Sequence, residues 1–182
     1  GTLGALNELF GKKLDNEALC AVGDKIGADV PICIKGGTQY SITNGDMIIA
    51  ECEHDCVFLC IYPGFTLSTA EAYAKYDENP TEINPHYADF VSSIVCGSLS
   101  DGAGFISNVF TEIYHDSRIE EMKNDLFEGG PVISEMTGSG SVVFGVFENE
   151  NKAIEAKNTL SKKYKSVFIA RPTDCGIYIL ER

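Results

Sequence analysis

Two glycine-punctuated loops hold the residues best suited to chemistry. The first, Ile26-Gly27-Ala28-Asp29-Val30-Pro31, sets one acidic residue in an otherwise apolar run. A carboxylate in such a setting is uncommon unless it is paired or hydrogen-bonded. It can take or orient a hydroxyl proton, as phosphoryl-transfer enzymes require. It can equally cap a short helix begun by Val30-Pro31, and spacing alone favours the cap. The roles are compatible, because capping holds the side chain still. The second loop, Thr137-Gly138-Ser139-Gly140-Ser141, has glycines and hydroxyls where a backbone can wrap a phosphate. A P-loop needs G-x-x-x-x-G-K-[ST] between a strand and a helix. Here there is no lysine and a strand follows, so the spacing by itself favours a turn between strands. Ser139 and Ser141 are what keep a phosphate role open.

Other constellations are weaker. Cys52-Glu53-His54-Asp55-Cys56 with Cys60 suggests a metal, but structural zinc takes a second close pair of ligands, which the chain lacks. No metal site is expected there; Phe58 and Cys60 alternate as core residues of a strand do. His86 and His115 flank helices in polar surroundings and read as surface residues. The seven cysteines are an odd number, and Cys20, Cys33, Cys60 and Cys96 lie in apolar segments. That pattern fits reduced thiols in a cytoplasmic protein.

The elements that must position these loops follow from periodicity. Leu3, Leu6, Leu9 and Phe10 have helical spacing up to Gly11, with nothing upstream to begin the helix. Asp15 reads as the N-cap of a helix with Leu19, Val22 and Ile26 on one face, stopped at Gly27. Gln39–Ile42 and Met47–Glu51 flank Asn44-Gly45 as a hairpin. Val57–Tyr62 reads as a buried strand, and Ser68-Thr69-Ala70-Glu71 as a capping box opening a helix through Tyr76. Helices follow at Tyr87–Cys96 and Gly104–Tyr114, and another opens at a second box, Ser117–Glu120, with Ile119, Met122 and Leu126 inward. Then come strands Val132–Met136 and Val142–Phe147, a helix Asn151–Tyr164, and strands Val167–Arg171 and Ile177–Leu180. The order predicts an α+β fold, helices covering one face of a mostly antiparallel sheet.

At 182 residues, 44% hydrophobic and 23% charged, the composition is globular. No apolar run approaches the roughly 20 residues that span a bilayer. A formal charge of −13 argues against a nucleic-acid partner, which needs a basic face. A small anionic molecule is compatible, since backbone N–H groups hold phosphate locally.

Taken in order, Leu6-Asn7-Glu8-Leu9-Phe10-Gly11, Ile26–Pro31, Gly36-Gly37-Thr38 and Met136–Ser141 with Val143-Phe144-Gly145 resemble the GHMP small-molecule kinases. Ser68-Thr69 after Pro63-Gly64, and Val167–Arg171, support the resemblance. It is strongest to the branch whose acceptor is a diphosphocytidyl-linked methylerythritol. The resemblance implies transfer of the γ-phosphoryl group of ATP, with Mg²⁺, to a hydroxyl of a small molecule. It makes Asp29 the catalytic residue, places Gly138, Ser139, Gly140 and Ser141 against the nucleotide phosphates, and puts Thr66, Ser68 and Thr69 in the substrate cleft. It implies that residues 1–55 are the tail of an N-terminal kinase domain, and that 56–182 form the C-terminal, ferredoxin-like α+β domain. The family's main phosphate loop and its lysine would lie before Gly1, so residues 1–182 alone are expected to be inactive. Apolar surface left on Leu3–Phe10 or Val57–Tyr62 would favour a homodimer. Two other readings stay open: a homoserine or mevalonate-type kinase, and a non-catalytic α+β binding domain.

Overall fold

The computed structural model describes residues 1–41, 47–49, 55–80 and 86–179. They divide into two compact units, Gly1–Cys52 with Pro172–Arg182, and Glu53–Arg171.

The first unit contains α1 (Thr2–Leu9), α2 (Asn16–Asp24), α3 (Asp29–Lys35), β1 (Gln39–Ser41) and β2 (Met47–Ile49). Asp15 caps α2 as its position predicts, accepting from the Ala18 N–H at 2.9 Å. The buried face of α2 differs from the expected one. Leu19, Cys20 and Gly23 are inside, whereas Val22 and Ile26 are exposed. The reason lies at Gly23, where a Cβ would stand 2.7 Å from Val30 Cγ1. The bare backbone lets α3 approach along that line, and Leu19, Cys20 and Ile34 close the core with Leu3, Val30 and Ile177. Strands β1 and β2 pair antiparallel, Gln39 opposite Ile49; the Asn44-Gly45 turn lies outside the described residues. Residues 177–179 form no strand, contrary to the periodicity. Ile177 is used as a core residue, and the Gly37 N–H donates to the Thr173 carbonyl at 3.0 Å.

The second unit is built on a four-stranded antiparallel sheet, order β4-β5-β3-β6, from β3 (Val57–Tyr62), β4 (Ile133–Met136), β5 (Val143–Phe147) and β6 (Ser166–Ala170). Between β3 and β4 lie α4 (Thr69–Glu78), α5 (Tyr87–Cys96), α6 (Leu99–Gly102), α7 (Val109–Tyr114) and α8 (Ser117–Phe127); α9 (Glu150–Leu160) connects β5 to β6. With one strand, helices, two strands, a helix and a last strand, this is the ferredoxin-like order, and the α+β expectation holds. Val57, Leu59 and Ile61 of β3 point to the helix side. They meet Ile119, Met122 and Leu126 of α8 and Ala153, Ala156 and Leu160 of α9. Those positions recur at three- and four-residue intervals because a helix returns to one face at that period. Each buried Leu or Ile contributes roughly 1.5–3 kcal/mol. Phe58 and Cys60 face the other way and are only half buried, so they are not the core residues that alternation suggested. Burial still pushes the Cys60 thiol pKa up.

Two boundaries differ for local reasons. The helix expected over Gly104–Tyr114 is broken, because Asn108 caps a new helix, α7, through the Phe110 N–H. Helix α8 is capped by Asp116, one residue before the expected Ser117. At α4, Ser68 accepts from the Glu71 N–H at 3.3 Å, which is half of the expected box.

The ends of α8 and α9 are joined by Asp125, which accepts from Lys163 Nζ at 2.5 Å and Tyr164 Oη at 2.6 Å. Burial works against the Asp125 charge, but these two donors outweigh it and hold the carboxyl below its ordinary range. Burial, with Asp125 beside it, pushes the Tyr164 phenol up to about 12. A depressed carboxyl stabilises the fold above its unfolded pKa, and that contribution is lost as pH falls through the folded value. Asp125→Asn is therefore expected to cost about 0.2–1 kcal/mol near neutral pH, the range for exposed pairs. Urea denaturation should show the gap to wild type closing below about pH 4. A gap that stays constant into acid would show that the charge is not what stabilises the junction.

Candidate functional site

In the first unit, Asp29 is the first residue of α3 rather than its cap. The N-cap is Ala28, and no side chain caps the helix. Asp29 is also exposed, where the apolar run suggested a buried carboxylate. Among the described residues its carboxylate accepts no hydrogen bond, so its oxygens are open to a ligand. At the start of a helix its charge is favoured by the peptide dipoles. It lines a cavity of about 320 Å³ with Gly1, Thr2 and Leu3 at the start of α1, and with Cys33 one turn further along α3. The carboxylate thus borders an open cavity lined across from it by Gly1, Thr2 and Leu3.

In the second unit, the Thr137–Ser141 loop and the N-terminus of α4 come together. Thr69 Oγ1 lies 2.8 Å from Ser139 Oγ. The loop is closed internally by Thr137 N–H to the Val142 carbonyl and Gly140 N–H to the Thr137 carbonyl. The N–H groups of Gly138, Ser139 and Ser141 donate to nothing among the described residues. Free backbone N–H groups in a turn of this kind, beside a helix N-terminus, form an anion-binding concavity. Gly140 has φ +91°, and a Cβ there would sit 2.7 Å from Leu67 Cδ1 and from Met136 Sδ. Ser141 is buried and its hydroxyl donates to the Phe65 carbonyl, so it ties the loop to the chain entering α4. Ser68 caps α4, and its carbonyl accepts from Tyr114 Oη at 2.9 Å. Burial and then Glu71 raise the pKa of that phenol. Thr66 is exposed and makes no hydrogen bond among the described residues.

Two supports of this loop carry no obvious motif. Arg118 lies 3.8 Å over the Phe65 ring and forks onto both carboxylate oxygens of Asp116. Its hydrogen bonds hold the Asp116 carboxyl below the usual range. Asn108 Nδ2 donates to the carbonyls of Met136 and Gly138, at 2.7 and 2.8 Å. An Asn directly before the apolar pair Val109-Phe110 is a helix-start signal, and it was the available clue to the break at α7. Cys52 and His54 of the suggested metal stretch lie outside the described residues. His86 and His115 are on the surface as read, and His86 sits 3.2 Å from Asp89.

Residues 111–166 match the family described as GHMP kinases C terminal. The chain is similar to a 4-diphosphocytidyl-2-C-methyl-D-erythritol kinase of Caldanaerobacter subterraneus subsp. tengcongensis, 30% identical over 98% of this chain and 63% of the relative. It therefore spans less than two thirds of that relative's length. Among solved structures, a homoserine kinase from Cytophaga hutchinsonii superposes with a TM-score of 0.76 at 15% identity, over 94% of this chain and 62% of the other. A 4-(cytidine 5'-diphospho)-2C-methyl-D-erythritol kinase superposes with a TM-score of 0.66 at 19% identity, over 91% and 59%. At those identities the superpositions speak for the fold alone. Residues 111–166 thus carry the C-terminal domain of the GHMP kinases, and along nearly its whole length the chain is similar to 4-diphosphocytidyl-2-C-methyl-D-erythritol kinases.

Proposed function

We propose that this chain is part of an ATP-dependent kinase that phosphorylates a hydroxyl of 4-diphosphocytidyl-2-C-methyl-D-erythritol, in non-mevalonate isoprenoid biosynthesis in the cytoplasm. The observation that carries a phosphoryl-transfer reading is the junction of Ser139 with Thr69, which sets a loop of open N–H groups against a capped helix N-terminus. The choice of acceptor rests on the relatives that match along nearly the whole chain. In this reading Asp29 takes or orients the proton of the acceptor hydroxyl. Gly138, Ser139 and Ser141 hold nucleotide phosphate through backbone N–H groups, and Gly140, whose own N–H closes the loop onto the Thr137 carbonyl, gives the loop its shape. Thr66, Ser68 and Thr69 line the acceptor side, their hydroxyls suited to a polar substrate. Residues 1–55 are the tail of the N-terminal kinase domain and the C-terminal domain begins at residue 56, but residues from Pro172 onward, expected in the C-terminal domain, group with the first unit. Mg²⁺ bound with the nucleotide would neutralise phosphate charge.

The test is phosphoryl transfer from ATP by the full-length protein, with the diphosphocytidyl alcohol, homoserine and mevalonate offered separately. The expected result is a kcat/KM for the first well above the other two. Preference for homoserine or mevalonate would keep the family and change the substrate. ATP turnover with none of the three would overturn the acceptor assignment.

A further inference from the structure

We propose that Asn108 is a positioning residue that sets the aim of the Gly138–Ser141 loop, an inference that rests on the phosphate-binding reading above. Strand β4 is an edge of the sheet, so half of its backbone groups face away from β5. At its exit those groups are taken by two side chains. The Met136 N–H donates to Glu135 Oε1 at 2.8 Å, and the Met136 carbonyl accepts from Asn108 Nδ2 at 2.7 Å. The second hydrogen of the same amide reaches the Gly138 carbonyl at 2.8 Å. Asn108 Oδ1 is occupied as the cap of α7, accepting from the Phe110 N–H at 2.9 Å. One side chain therefore begins a helix with its oxygen and grips two loop carbonyls with its nitrogen.

The consequence for the loop is geometric. Across a trans peptide the carbonyl of one residue and the N–H of the next point in opposite directions. Holding the Gly138 carbonyl towards α7 turns the Ser139 N–H away from it, and that N–H has no partner among the described residues. Two carbonyl oxygens side by side repel each other unless a donor sits between them, and Asn108 supplies that donor. The helix that carries Asn108 is itself anchored. Thr111 Oγ1 donates to the buried Glu135 at 2.9 Å, and Lys123 Nζ approaches the other carboxylate oxygen at 3.1 Å.

The cap and the clamp are separable by substitution. Asn108→Asp keeps the acceptor for Phe110 and replaces the donor with an oxygen facing two carbonyls. Asn108→Ser keeps a capping residue, is neutral and cannot reach the loop, so it serves if the Asp variant folds poorly. In the full-length protein, either variant is expected to exchange the hydrogen-bonded Thr137 and Gly140 amide hydrogens of the loop faster, with the α7 amides unchanged. The kcat/KM for ATP should fall about 10- to 100-fold, the scale of a small misplacement of a catalytic group. Unchanged loop exchange overturns the proposal, and so does faster exchange with an unaltered kcat/KM for ATP. A wild-type protein without any ATP-dependent transfer overturns the kinase reading and this inference together. A competent wild type beside equally competent variants overturns only the role of Asn108.

Discussion

Asp29→Asn in the full-length protein is expected to lower kcat by about 10²- to 10⁴-fold, the usual contribution of a positioned general base. The amide is the same size and can still sit at the start of α3, but it cannot take a proton. Loss of a negative charge in the first turn costs only about 0.3–1 kcal/mol, so the fold should survive. The Asp29 side chain makes no hydrogen bond among the described residues whose loss would disturb its neighbours. Affinity for ATP should be little altered, because the proposed phosphate contacts come from backbone groups elsewhere. Steady-state kinetics with calorimetric titration of ATP would separate the two quantities. Turnover at the wild-type rate would remove Asp29 from the mechanism, whereas loss of ATP binding would make it a nucleotide ligand.

Gly140→Ala is expected to cost about 2–5 kcal/mol. Roughly 1–2 kcal/mol comes from placing an L-residue in left-handed backbone, and about 1–3 from overpacking. The φ of +91° is disfavoured for any side chain, and the new methyl would collide with Leu67 and Met136 at 2.7 Å. Gly138→Ala is the internal control. Its φ of +55° carries a similar backbone penalty, but nothing lies within 4 Å of the added carbon. Urea denaturation of both variants should show the Gly140 change to be clearly the more damaging. KM for ATP should rise as well, since Gly140 packs the loop against the segment entering α4. Equal destabilisation of the two variants would show that crowding against Leu67 and Met136 is not what makes Gly140 necessary.

The repeating parts of the fold were legible because they repeat. The spacing of Ile119, Met122 and Leu126 identified the inner face of α8, and all three are buried. The strands around the glycine-serine turn were placed to within a residue. What the sequence concealed was set by partners distant along the chain. Val22 and Ile26 fit the α2 stripe as well as Cys20 does, and only the approach of α3 over Gly23 decides which face is inside. Phe58 and Cys60 alternate as faithfully as Leu59 and Ile61, and period-two spacing cannot say which side of a sheet the helices cover. Asp29 and Gly138–Ser141 stood out by residue type, while spacing alone favoured a helix cap and a turn between strands, and their proposed roles come from the resemblance. The contact between Thr69 and Ser139 spans 70 positions and leaves no local trace. Asn108 was hidden differently, since its one visible signal marks a helix start and says nothing of the carbonyls it grips.

The return of the chain after β6 has a consequence for how the protein is made. Residues 53–171 form one unit, whereas the first unit is completed by residues from Pro172 onward. The backbone of Gly176 passes so close to Cys33 and Ile34 that no side chain would fit, and Ile177 packs beside Leu19 and Ile34. During synthesis the inserted unit has all its strands available before the earlier unit has its full core. Domains fold as units once their chain has emerged from the ribosome, so here the order of folding would invert the order of translation. A stop codon near position 171 would look in sequence like the trimming of a tail. It would instead leave α2 and α3 without the side chain that seals them, and so damage the unit synthesised first.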